Sequence, residues 1–211
     1  MRRFALIGEA EARTIEPGST VELERGGHVT PLAQDTLRAR RVTVVRAGSF
    51  DPALPADLAP PAVITRVAIG ADHTGLALRQ ALVAHLRQAG LAVEVFGAED
   101  QTPVDYPDVA GAVARAVVRG QADAGIVIDG AGLGSTIAAN KVRGARAAMC
   151  QSPTLARYAR EHNGANVLAL GASLVTAAEA REIVDTWRST PMREPRYLRR
   201  LLKVRDLEER F

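Results

Sequence analysis

The chain has 211 residues, 47% hydrophobic and 24% charged, with a formal net charge of +3. That balance fits a globular protein of one domain, or one domain plus an appendage, and excludes a disordered chain. No apolar run approaches the roughly 18 residues of a membrane span, no long apolar stretch follows Met1-Arg2-Arg3, and the charge is too small to argue for nucleic acid, so a cytoplasmic protein without membrane or nucleic-acid partners is expected.

Cys150 is the sole cysteine, which rules out an internal disulfide. It and the four histidines form no close ligand pairs, so no protein-held metal is expected. Lys141 and Lys203 are the two lysines, which leaves few candidates for Schiff-base chemistry.

In chain order, residues 1–46 read as an N-terminal extension. Thr20 to Glu24 alternate as a strand, and Gly26-Gly27 signals a turn. Thr30-Pro31 starts a helix, with Thr30 as N-cap and Pro31 at the first helical position. The helix is predicted to run to about Arg41, with a strand at Val42–Val45. A strand–helix–strand unit of this size is expected to lack a core of its own and to dock on something larger. Residues 47–65 carry Pro52, Pro55, Pro60 and Pro61 among small residues, the composition of an extended linker.

Residues 66–211 form the main domain. Short apolar runs at Val67–Ala71, Leu91–Phe96, Gly125–Asp129, Ala145–Met149 and Val167–Leu170 alternate with helical stretches. Leu78, Leu82 and Leu86 share a helix face, as do Val109, Val113, Ala116 and Val117, then Leu155, Ala159 and His162, then Ala180, Ile183, Val184 and Trp187. Tyr106-Pro107, Ser152-Pro153 and the capping box Thr176–Glu179 mark helix starts. Continuously apolar strands alternating with helices predict an α/β domain: a Rossmann-like, doubly wound, five-stranded parallel sheet, closed by a C-terminal helix from about Arg196.

Ligands of such sheets bind beyond the carboxyl ends of the strands. The polar residues there are Asp72 and His73 after the first strand, Tyr106 after the second, and Asp129 to Ser135 after the third. Gly130, Gly132 and Gly134 alternate between a strand and a helix, which lets backbone N–H groups approach an anion or simply makes a tight turn. Asp129 ends a buried strand, so its carboxylate is either used in chemistry or caps the next helix. His162, before Asn163-Gly164, is either a satisfied core residue or an acid favoured by the helix C-terminus. Arg196, Arg199, Arg200 and Lys203 form a basic stripe, with Arg193 before it and Arg205 after: a solvated face or a phosphate site. Few aromatics interleave them, which argues against RNA.

The segments GADHTG (70–75), DYPD (105–108), GIVIDGAGLGSTIAANKVRGARAAMC (125–150), AREHNGANVLALG (159–171) and PRYLRR (195–200) occur in an order and spacing that resemble the type-B ribose-5-phosphate isomerase family, which includes the galactose-6-phosphate isomerase subunits. The resemblance covers residues 66–205. It implies reversible aldose–ketose isomerisation of a phosphorylated sugar through a cis-enediolate, with no metal or cofactor. By position Asp129 replaces the family's usual catalytic cysteine, His162 matches the ring-opening histidine, and Asn163 its neighbouring ligand. Asp72 and Tyr106 match sugar-contacting residues; His73, Arg196 and Arg200 match phosphate-binding ones. The amides of Gly130, Gly132 and Gly134, with Ser135 at the end of the loop, would stabilise the enediolate. The resemblance also implies a homodimer, or dimer of dimers, with sites shared between subunits.

Several positions depart from the family pattern. Besides Asp129, Ser135 stands where one branch carries a glutamate, Ala131 where a hydroxyl is usual, Tyr197 where histidine is frequent, and Ser173 where a phosphate-binding arginine is usual. Two other readings share the fold: a non-catalytic sugar-phosphate sensor, and an epimerase or lyase using the same enediolate. The stretch HVTPLAQDTL (28–37) loosely resembles extensions on enzymes packaged in bacterial microcompartments.

Overall fold

A computed structural model describes residues 2–46, 58–192 and 195–210. The chain forms two compact units, Met1–Pro55 and Ala56–Phe211.

The first unit contains the expected strand–helix–strand and one further strand and helix before it. Its elements are β1 (Arg3–Ile7), α1 (Glu9–Thr14), β2 (Thr20–Val29), α2 (Pro31–Ala39) and β3 (Thr43–Arg46). The three strands are parallel, in the order β1-β2-β3. Thr30 caps α2 by accepting the Ala33 N–H, and Pro31 occupies the first turn. Two expectations are corrected. The unit has a core of its own: Ile7, Ala12 and Ile15 from the unforeseen β1–α1 half meet Val21, Leu23, Ala33 and Leu37. Gly26-Gly27 does not end the strand either. Gly26 takes φ +81°, and the ladder jumps from Phe4–Leu23 to Leu6–His28, so β2 bulges and continues.

Of the expected linker, residues 47–57, with Pro52 and Pro55, lie outside the described residues. The remainder is part of the second unit: Leu58 and Ile64 are buried, and the Leu58 and Pro61 carbonyls accept from Arg146 and Arg160.

The second unit is the α/β domain read from the sequence. Its strands are β4 (Arg66–Ala71), β5 (Ala92–Gly97), β6 (Ala124–Asp129), β7 (Ala147–Met149) and β8 (Val167–Gly171). All pair in parallel, in the order β5-β4-β6-β8-β7. The helices are α3 (Leu76–Gln88), α4 (Tyr106–Val118), α5 (Leu133–Ala139), α6 (Pro153–Asn163), α7 (Ala177–Ser189) and α8 (Pro195–Arg210). Side chains alternate across the sheet. Ile69, Ile126, Ile128, Leu168 and Leu170 face α3, α6 and α7, whereas Ala68, Val127, Val167 and Ala169 face α4 and α5. Small residues let α4 approach closely: a Cβ on Gly70 or Gly125 would meet Val113 at 2.8 Å. The order reverses beside β4, so the chain leaves β4 and β6 towards opposite faces of the sheet, and it is at the carboxyl edge of such a reversal that sheets of this kind bind ligands.

The predicted faces of α3, α4 and α7 are buried. The face of α6 is corrected: Leu155 is 48% exposed, and the buried residues are Ala156, Ala159 and Arg160. A reading of apolar periodicity assigns arginine to the surface, yet Arg160 is 1% exposed. Its guanidinium lies over the Trp187 ring and donates to the Ala165 and Pro61 carbonyls. Burial, and then neighbouring Arg146, hold its pKa down to about 10.

Candidate active site

The site residues named from the sequence fall into two clusters at opposite edges of the five-stranded sheet. The carboxyl edge holds Asp72, His73, Tyr106 and the loop Asp129–Ser135. Asp72 caps a single 3-10 turn over His73–Gly75. Its Oδ1 accepts the Thr74 N–H at 2.9 Å, the Thr74 hydroxyl at 2.6 Å and the Gly75 N–H at 3.2 Å. Its Oδ2 takes no hydrogen bond among the described residues. His73 Nδ1 is buried there without a partner among the described residues.

The loop after β6 is built by glycine. Gly132 takes φ +77°, and a Cβ on it would stand 2.9 Å from the Leu170 carbonyl carbon. The Tyr106 ring occupies the place of a Gly134 Cβ, and Thr74 Oγ1 lies 3.6 Å from that of a Gly130 Cβ. Three loops therefore meet over these glycines. The end of β8 fastens them, with Ala172 N–H donating to the Asp129 carbonyl at 2.8 Å and Ser173 N–H to that of Gly130 at 3.0 Å.

Asp129 is 5% exposed. Its Oδ1 accepts the N–H of Ala131 at 2.9 Å and that of Gly132; its Oδ2 accepts the Ser135 N–H at 2.7 Å. A carboxylate offers about four acceptor positions, so three are used in closing its own loop and one remains, on Oδ2. This is the capping alternative left open by the sequence, and it competes with the expected role as base. The N–H groups of Leu133 and Gly134 meet no acceptor among the described residues. Cys150, at the same edge, is 1% exposed, and burial pushes its thiol up to about 12, so it is no substitute base.

His162 and Asn163 are elsewhere. α6 runs back across the sheet and ends at Asn163, just before β8 begins at Val167. The five residues of β8, at about 3.3 Å each, put roughly 15 Å between this edge and the Asp129 loop. His162 is not on the buried face of α6; its side chain is 35% exposed. With Asn163 and Arg200 it lines a cleft of about 430 Å³ that also takes in Asn140 and Arg146. Arg196, Arg199, Arg200 and Lys203 are all exposed along α8, while Arg193 lies outside the described residues. One chain thus unites Asp72, His73, Tyr106, Asp129, Gly130, Gly132, Gly134 and Ser135, but not these with His162, Asn163, Arg196 and Arg200.

Sequence reasoning passed over Tyr158 and the significance of Tyr197, whose rings flank His162. The four-residue spacing of Tyr158 and His162 on a helix was the available signal. Among the described residues no cluster of side chains could hold a metal ion, and no helix is long and apolar enough to cross a membrane.

Comparison with known proteins agrees with this architecture. The family described as Ribose/Galactose Isomerase matches residues 67–204. Ribose-5-phosphate isomerase B of Escherichia coli is 40% identical over 145 residues, which is 69% of this chain and 97% of that protein. The ribose-5-phosphate isomerase B structure from Clostridium thermocellum superposes with a TM-score of 0.68 at 44% identity, covering 69% of this chain and 98% of the other. The Mycoplasma genitalium enzyme, solved with bound ribulose-5-phosphate, gives a TM-score of 0.67 at 37% identity over 69% and 97%. The chain belongs to the ribose/galactose isomerase family and is an enzyme of the aldose–ketose isomerase class.

Proposed function

We propose that the chain interconverts ribose 5-phosphate and ribulose 5-phosphate, or a related tetrose to hexose phosphate pair, by moving a proton between adjacent carbons through a cis-enediolate. The observation that carries this reading is the glycine-built loop after β6. It packs against Tyr106 and lies beside the Asp72 turn at the sheet's reversal point, in a chain whose family members bear that activity in their names. Asp129 is the general base, acting through the acceptor position left on Oδ2, and the free N–H groups of Leu133 and Gly134 stabilise the enediolate oxygen. The three N–H bonds to Asp129 favour a second reading, in which that carboxylate only shapes the loop and Asp72 Oδ2 moves the proton.

The roughly 15 Å between the two edges supports a homodimer with shared sites. In it, Asp72, His73, Tyr106 and the Asp129 loop come from one copy. His162, for ring opening, with Asn163, Arg196 and Arg200, comes from its partner.

The test is incubation with four- to six-carbon aldose and ketose phosphates in deuterated water, beginning with ribose 5-phosphate. Interconversion with deuterium beside the carbonyl is expected; exchange with none of them overturns the reading. Asp129→Asn presents an NH2 group to the Ser135 N–H, so its loss of activity fits either role of Asp129, but near-wild-type turnover rejects the base. Asp129→Cys is expected to retain turnover and to become sensitive to thiol reagents. Mixing inactive Asp129→Asn with inactive His162→Gln chains restores about a quarter of wild-type activity if sites are shared, because half of the random dimers are mixed and each then has one intact site. No recovery rejects the sharing.

A further inference from the structure

His162 is flanked by two tyrosine rings. Tyr158 stands one helical turn before it on α6, so the two side chains share a face. Their rings stack with centroids 4.8 Å apart and planes at 15°. Tyr197, from α8, brings its ring centroid to 4.7 Å at a tilt of 32°. No hydrogen bond holds the imidazole among the described residues; the Glu161 carboxylate, 3.9 Å from Nε2, is beyond hydrogen-bond length. Ring contact is what fixes its plane.

The flanking rings are themselves held. Tyr197 is buried, and its hydroxyl accepts from Arg196 Nη2 at 2.9 Å. The guanidinium groups of Arg196 and Arg200 lie 4.8 and 5.6 Å from its ring centroid. Asn163 Nδ2 donates to the Tyr158 carbonyl at 3.1 Å, so the side chain next to His162 is tied to the same residue.

We infer that Tyr158 and Tyr197 are positioning residues, which hold the His162 ring so that one nitrogen meets the ring oxygen of the closed aldose. The inference rests on the role assigned to His162 above. In ring closure the C4 hydroxyl oxygen bonds to C1, the C1–O double bond becomes single, and a proton passes from O4 to O1. A histidine serves that transfer only if its nitrogen lies in line with the oxygen. A swinging imidazole loses the alignment without changing what the remainder of the site binds.

Ribulose 5-phosphate is an open chain, because its C5 hydroxyl carries the phosphate, so proton exchange at its C1 needs no ring chemistry. The experiment starts from this ketose in deuterated water and measures deuterium in recovered ketose against ribose 5-phosphate formed. For Tyr158→Leu, the kcat of aldose formation is expected to fall about tenfold with KM unchanged, while exchange continues, so the exchange-to-conversion ratio rises; Tyr197→Leu, whose ring also meets Arg196 and Arg200, is expected to show the same rise in ratio together with a higher KM. Tyr197→Phe and Tyr158→Phe, which keep the rings, stay near wild type. Tyr158 is 43% exposed, so its Leu variant opens no core cavity and answers the question if Tyr197→Leu fails to fold.

Equal loss of exchange and conversion, unchanged kcat in the Leu variants, or Phe variants no better than Leu overturn the inference. A wild-type enzyme inactive on ribulose 5-phosphate removes the functional reading, and an unaltered His162→Gln removes the role of His162. The positioning role falls with either, and the two failures are distinguishable.

Discussion

The two edges of the five-stranded sheet carry the two groups of candidate site residues and build them differently. At the carboxyl edge the two carboxylates are held mainly by N–H groups of their own loops. Asp72 Oδ1 receives three donors and the Asp129 carboxylate another three, and Gly132 holds a left-handed conformation against the end of β8. Its shape is set before any ligand arrives. At the amino edge the groups are long side chains at a helix end, exposed or half-exposed and held by stacked rings. A preorganised backbone is suited to developing charge, since it need not reorganise when the charge appears. Exposed arginines are suited to gripping a phosphate that must enter and leave.

The sharpest way to break this contrast is one alanine substitution at each edge. Gly132→Ala forces a Cβ to φ +77° and to within 3.0 Å of the main chain of Leu170 and Gly171. The expected cost is about 2–3 kcal/mol of stability, with turnover down about a hundredfold as the amides lose their aim. Arg200→Ala, at the exposed end, should change stability by less than about 0.5 kcal/mol and act mainly by raising KM. Urea denaturation and steady-state kinetics on both variants check this. A Gly132→Ala enzyme that folds and turns over normally would show that the loop is not a preorganised unit.

The carboxyl edge was legible in the sequence for a physical reason. Strand ends, capping residues and glycines at fixed offsets are local signals, and Asp72, Tyr106 and Gly130–Gly134 arrive together because one sheet sorts them. What stayed hidden is non-local or concealed by residue type. The competing use of Asp129 depends on which way three N–H groups point, and glycine spacing does not specify that. Arg160 looks like surface but is core, because carbonyls and the Trp187 ring take up its charge. The core of the first unit went unseen because β1 and α1 are short and weakly patterned, although they supply Ile7, Ala12 and Ile15. The separation of His162 from Asp129 followed from chain direction alone: a helix leading into a parallel strand must end at the strand's amino edge.

Two aspartates at opposite edges, the half-buried Asp123 and the buried Asp129, sharpen the comparison at smaller cost. Burial acts to raise the Asp123 carboxyl, but the Arg66 guanidinium, the Thr65 and Arg66 N–H groups and the Thr65 hydroxyl together hold it down to about 2, against an ordinary 3.8. A lowered pKa of this size corresponds to about 2 kcal/mol of stability, present above pH 3.8 and lost as pH falls from 3.8 towards 2. Asp123→Asn should therefore lower stability by about 2 kcal/mol at pH 7 and leave kcat alone, whereas Asp129→Asn should abolish turnover. Denaturation midpoints of wild type and Asp123→Asn, compared at pH 5 and near pH 2, should differ at the first and converge at the second. A gap that persists in acid would mean that Asp123 acts by packing rather than by charge.

The smallest expected effect is none. Cys150 follows β7 at the same edge as Asp129, yet it is packed in the core with its thiol pushed up to about 12. A thiol that is neutral and enclosed at pH 8 is neither nucleophile nor base. Iodoacetamide at pH 8 should leave the native enzyme fully active and label Cys150 only as fast as the fold opens. The sign of its pH linkage follows: the raised pKa contributes stability in full below the ordinary thiol value of 9.0 and loses it as pH rises from 9 towards 12. Inactivation of folded wild-type enzyme at pH 8 would be the informative failure, because it would place a reactive thiol where the structure puts a closed core and take the proton-transfer role away from the carboxylates. Sensitivity that appears only in Asp129→Cys would instead locate the acid–base position at residue 129, at the preorganised edge.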